Sequence, residues 1–129
     1  MSSRNRWVST ALAVLSALPA LVSTGALAQS FPNKPIRLIA PSSAGGPVDV
    51  IARILSPAWS EALGQQIVID NRAGAGGIIG YDIVAKAPPD GYTLLMVAGG
   101  YSLNPILYAK LPYDTFGDFE RVSLVACAP

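Results

Sequence analysis

The chain has no histidine, one cysteine and little charge: 13% of its 129 residues are Asp, Glu, Lys or Arg. Each scarcity excludes a class of function. Without histidine there is no Ser-His-Asp triad, no Cys-His pair and no His-ligated metal. The lone Cys127 excludes an internal disulfide and a Cys-rich zinc site. Nine basic and eight acidic residues leave a net charge of +1, without the basic excess of an electrostatic nucleic-acid binder. Apolar residues are plentiful at 51%, which excludes a disordered chain. The length allows one domain at most.

The apolar bias concentrates at the start. Residues 1–28 read MSSRNRWVSTALAVLSALPALVSTGALA. Arg4 and Arg6 form a positive leader, Val8 to Val22 a short apolar core, and Ala26-Leu27-Ala28 a small-x-small cleavage pattern. This is the layout of a secretory signal peptide cut after Ala28. The core falls short of the ~20 apolar residues a spanning helix needs. Losing Arg4 and Arg6 leaves seven basic residues against eight acids, a net of −1. The mature product is expected in an extracytoplasmic space, where nicotinamide and nucleoside triphosphates are scarce.

Beyond residue 29 the pattern alternates between strand and helix. Pro35–Pro41 reads as a buried strand and Asp49–Leu63 as a helix. Its inward face is expected to be Ile51, Ile54, Leu55, Ala58, Trp59 and Ala62. Asp49 is the expected N-cap and Gly64 the expected residue past the end; Pro57 predicts a kink. Ile67–Asp70 is a second strand and Ile78–Lys86 a second helix, with Ile79, Ile83 and Ala87 facing inward. Pro88-Pro89-Asp90-Gly91 is a turn and Tyr92–Val97 a third strand. A short helix follows from Pro105 to Tyr108, then a fourth strand over Arg121–Ala126. This order implies an α/β fold with a mostly parallel sheet and right-handed crossovers.

In such sheets ligands bind beyond the carboxyl ends of the strands, and three small-residue loops fall there. The first, SSAGGP (42–47), precedes a helix, so its glycine amides and the helix start suit anionic oxygens, carboxylate or phosphate. It equally suits a plain strand-to-helix turn. The second, NRAGAGG (71–77), repeats the arrangement, and Arg72 either adds a cation to it or sits on the solvent face. It is no dinucleotide fingerprint: Gly74-x-Gly76 is followed by Ile79 where a third glycine belongs. The third, AGGYSLN (98–104), adds the polar side chains of Tyr101, Ser102 and Asn104. Nothing supports catalysis, since Ser42, Ser43 and Ser102 have no histidine to activate them. No cofactor or metal site is expected.

Taken together, FPNKPIRLIAP (31–41), AGGPVDVIARIL (44–55), LGQQIVIDNRAGAGGIIGYDIVAKAPPDGYTLL (63–95) and NPILYAKLPYDTFGDFERVSLVA (104–126) resemble the Bug family, the extracytoplasmic solute-binding receptors of tripartite tricarboxylate transporters. The resemblance implies a type II periplasmic binding protein fold of two domains closing on a small carboxylate, with no enzymatic activity. It implies membrane transporter subunits, or a periplasmic sensor, as partners. It assigns ligand binding to Ser43, Ala44, Gly45, Gly46 and Asp49 on the first loop and to Ala75, Gly76 and Gly77 on the second. Tyr101, Ser102 and Asn104 join from the third. The family usually has an aromatic residue and a proline at the positions of Ser42 and Ser43, and no proline at Pro57. It also implies that residues 29–129 are the N-terminal part of the solute-binding domain, with the second domain absent. On that expectation the chain exposes apolar surface and is weakly stable. The alternatives are a truncated receptor without independent binding and a periplasmic interaction module.

Overall fold

A computed structural model describes residues 30–127. The alternating apolar segments form three parallel strands, β1 (Ile36–Ala40), β2 (Ile67–Asn71) and β3 (Thr93–Leu95), in the order β2-β1-β3. Leu38 lies opposite Ile69 on one side and Leu94 on the other. The helices are α1 (Pro47–Leu63), α2 (Ile78–Ala85) and the single turn α3 (Asn104–Leu107). This is the parallel sheet with flanking helices expected from the sequence. The signal-peptide reading falls on residues 1–28, outside the described residues.

Helix α1 starts two residues before the expected point. Gly46 is its N-cap and Pro47 its first helical residue, where a missing N–H costs nothing because that donor has no intrahelical partner. Asp49 is therefore not the cap but lies in the first turn. Gly64 ends the helix in the left-handed conformation (φ 65°). The helix continues through Pro57, whose missing N–H frees the Arg53 carbonyl. The Ser56 hydroxyl donates to that carbonyl at 3.4 Å. Ser60 Oγ then accepts the Ile67 N–H at 3.0 Å, tying the end of α1 to the start of β2.

The core comprises Ile36, Leu38, Ala52, Ile67 and Met96, with Val48, Leu55, Trp59, Ile69, Tyr92 and Leu94 packed against it. Each fully buried large side chain contributes about 1.5–3 kcal/mol. The inward face of α1 is thus Val48-Ala52-Leu55-Trp59, rotated from the expected one: Ala52 is fully buried, whereas Ile54 is 69% exposed. The short Ala52 lets the helix axis approach the sheet, and the larger Ile54 is left on the far side. On α2 the buried positions are Gly80 and Tyr81, not Ile79, which is half exposed. A Cβ on Gly80 would lie 2.9 Å from Pro41 Cβ, so this glycine permits close approach of α2 to the end of β1.

The expected fourth strand does not form. Residues 121–127 take no regular structure, and Val122 and Leu124 are at least 80% exposed. A strand needs a neighbour for its backbone groups, and among the described residues this segment has none. It borders an open apolar cavity of about 1630 Å³ shared with Leu55, Trp59, Leu94 and Met96. Before it, Tyr101 and Tyr113 each meet Tyr81 and Phe119 edge to face, with centroids 5.0–5.8 Å apart. This cluster holds the chain after β3 against α2. Among the described residues no helix is long and apolar enough to cross a membrane.

Candidate functional site

Because the strands are parallel, Ala40, Asn71 and Leu95 end at one edge of the sheet, and the three loops gather there. The first two are joined by a polar network centred on Asp49, which is 1% exposed. Its Oδ2 accepts the Gly45 N–H at 2.7 Å and Arg53 Nε at 2.9 Å. Its Oδ1 accepts Asn71 Nδ2 at 3.0 Å. The same Asn71 amide reaches the Ser42 carbonyl at 3.3 Å, and Asn71 Oδ1 accepts Arg53 Nη2 at 3.3 Å. The Arg53 side chain and the Gly45 amide, with help from Asn71, outweigh burial and hold the Asp49 carboxyl down to about 2. A buried ionised group is tolerated only when so paired.

Asp49 thus acts as an internal anion. It occupies the Gly45 amide, and the Gly46 amide donates to the Ser43 carbonyl at 3.0 Å. Ser43 and Ala44 are exposed, and among the described residues their amides have no acceptor. The Ser42 hydroxyl is buried without a hydrogen-bond partner among the described residues.

In the second loop Ala75, Gly76 and Gly77 all have positive φ (46°, 64° and 92°). Such a run is strained at alanine and free at glycine. The Gly77 amide closes the turn onto the Gly74 carbonyl at 2.9 Å, while those of Ala75 and Gly76 have no acceptor among the described residues. Arg72 is not aimed at the loop. It pairs with Asp70 at 2.9 Å, beside Arg37 on the same carboxylate. Burial raises the Asp70 carboxyl, but the two guanidinium groups bring it below its ordinary range.

The third loop differs from the other two. Tyr101 donates its hydroxyl to the Thr115 carbonyl at 2.6 Å, and burial first, then Tyr113 and Tyr81, push it up to about 12. Asn104 is buried and donates to Tyr113 Oη at 3.1 Å. Both side chains therefore hold the loop in place, and Ser102 is the exposed member of the three. Arg53 and Asn71 belong to the site although no loop motif singles them out. The i,i+4 spacing of Asp49 and Arg53 was an available signal; the pairing of Asn71 with Asp49 needed the strand register.

Residues 51–129 match the profile of the Tripartite tricarboxylate transporter family receptor. A UPF0065 protein from the tcbD-tcbE intergenic region of a Pseudomonas species is 50% identical over 100 residues, covering 78% of this chain and 30% of that protein. The solved structure of the periplasmic binding protein BugD aligns with TM-score 0.67 and 41% identity, covering 70% of this chain and 30% of that one. MatC from Rhodopseudomonas palustris, solved with bound malate, aligns with TM-score 0.64 and 38% identity, covering 69% of this chain and 31% of that one. The chain therefore spans about a third of the length of these relatives.

Proposed function

Because the chain belongs to the tripartite tricarboxylate transporter receptor family, we propose that it is the N-terminal part of an exported periplasmic receptor that binds a small carboxylate without transforming it. The signal peptide is removed after Ala28, and residues 29–129 begin the solute-binding domain. The relatives are about three times as long as the stretch this chain matches. The receptor delivers its ligand to membrane subunits of a tripartite carrier or reports it to a periplasmic sensor.

The observation that carries this reading is the pair of loops latched by Asn71 at one sheet edge. They present amides at Ser43, Ala44, Ala75 and Gly76 that are unpaired among the described residues. Backbone amides at preformed glycine-rich turns favour anionic oxygens and need no catalytic group. The malate in MatC is a ligand of the expected chemistry. Among the assigned residues, Ser43, Ala44, Gly46, Ala75, Gly76 and Gly77 shape or donate to the carboxylate seat. Gly45 and Asp49 hold the first loop in its binding shape, and Tyr101 and Asn104 hold the third, which presents Ser102.

The test is isothermal titration of the purified chain with malate, succinate, citrate and glutamate at low and physiological salt. Saturable 1:1 binding of at least one of them is the expected result. Heats no larger than dilution for all four overturn the reading for this chain.

A further inference from the structure

Tyr108 lies just past α3, outside the three loops. Its N–H donates to the Asn104 carbonyl at 3.0 Å, and Asn104 is itself anchored to Tyr113. Tyr108 is therefore placed by a buried residue, although its own side chain is partly exposed. Its ring reaches across to the second loop. A Cβ built on Gly76 would lie 2.6 Å from Tyr108 Oη and 3.5 Å from Cζ. Gly76 has φ 64°, so glycine here serves both the backbone turn and the approach of this ring. Among the described residues the Tyr108 hydroxyl has no hydrogen-bond partner, and neither does the Gly76 amide beside it.

Ordinary backbone dimensions put Oη within about 5 Å of the Gly76 nitrogen. One oxygen atom placed between them accepts from both at normal hydrogen-bond lengths. We propose that Tyr108 is a ligand-contacting residue of the carboxylate site, its hydroxyl donating to the same carboxylate that the Gly76 amide binds. The inference rests on the carboxylate-binding reading and adds a side-chain donor beside the backbone amides of the second loop. A phenol is neutral, so it discriminates by position where a lysine or arginine would attract any anion. This also gives Asn104 its part: it acts through Tyr108 as a positioning residue.

The test compares the wild-type chain with Tyr108→Phe, which keeps the ring against Gly76 and deletes only the hydroxyl. Malate affinity is measured by titration, and thermal stability by circular dichroism. The expected result is a Kd raised about ten- to a hundredfold, the value of one hydrogen bond to a charged group, with an unchanged Tm. Equal affinities overturn the inference and leave the carboxylate reading intact. A loss of affinity matched by a fall in Tm assigns Tyr108 to packing and also overturns it. If the wild type binds none of the carboxylates, the reading fails and the inference fails with it.

Discussion

Gly80→Ala sets two effects of known size against each other. In a helix interior alanine is favoured over glycine by about 0.8–1 kcal/mol, so α2 alone would gain. The added methyl, however, would lie 2.9 Å from Pro41 Cβ, 3.2 Å from Pro41 Cα and 3.3 Å from the Arg72 carbonyl. None of these atoms ends a flexible side chain, so relief requires moving α2 or the strand ends. Overpacking costs about 1–3 kcal/mol; three rigid contacts put this site in the upper half of that range, so after subtracting the alanine gain the clash wins by about 1–2 kcal/mol. For a domain of this size that lowers Tm by roughly 5–15 °C. Because Pro41 leads into the first loop and Arg72 into the second, the same shift should weaken malate binding at temperatures where the variant remains folded. Thermal unfolding followed by circular dichroism reads the first effect and titration calorimetry the second. A variant as stable as wild type, or more so, would show that α2 is not seated on the strand ends and would refute this packing.

Other substitutions probe the network and the second loop. Asn71→Leu removes the donor shared by Asp49 and Ser42. It is expected to lower Tm and to raise the malate Kd at least several-fold, measured by the same melts and titrations. Gly77→Ala forces a methyl to 2.7 Å from Tyr81 Oη at φ 92°. It should destabilise by at least about 1–2 kcal/mol from the left-handed backbone alone, read by urea unfolding. The pH dependence follows from Asp49, whose carboxyl is held at about 2 against an ordinary value of 3.8. A depressed folded-state value contributes stability that is fully present above the unfolded value and lost as pH falls through the folded one. An acid titration should therefore show wild type losing its advantage over Asp49→Asn between about pH 4 and pH 2. A constant difference down to pH 2 would remove Asp49 as its source.

The strand-helix alternation made the parallel sheet readable from sequence, because short segments rich in branched aliphatic residues, IRLIA and IVIDN, stand between turn signals and helical periods. Gly64 was legible as a helix end for a local reason, its left-handed backbone. What was not legible depended on partners distant in sequence. The face of α1 turned on which residue is small enough to let the helix approach the sheet, and Ala52 rather than Ile54 meets that need. The segment Arg121–Ala126 has the apolar content of a strand but no neighbour among the described residues. At the site, the glycine loops were visible as anion-binding candidates. Their internal use was hidden: Gly45 is engaged by Asp49, and Asp49 by Asn71, twenty-two residues later. Tyr108 was invisible for a related reason, since only the fold brings it to Gly76.

The central claim is that two backbone loops at one sheet edge form a carboxylate seat. A two-dimensional amide NMR titration of the isotope-labelled chain with malate tests it most directly. Dispersed resonances are expected, with saturable shifts concentrated at Ser43–Gly46 and Ala75–Gly77. Resonances that do not respond to malate, or that respond along α1 and the apolar cavity instead, would contradict it.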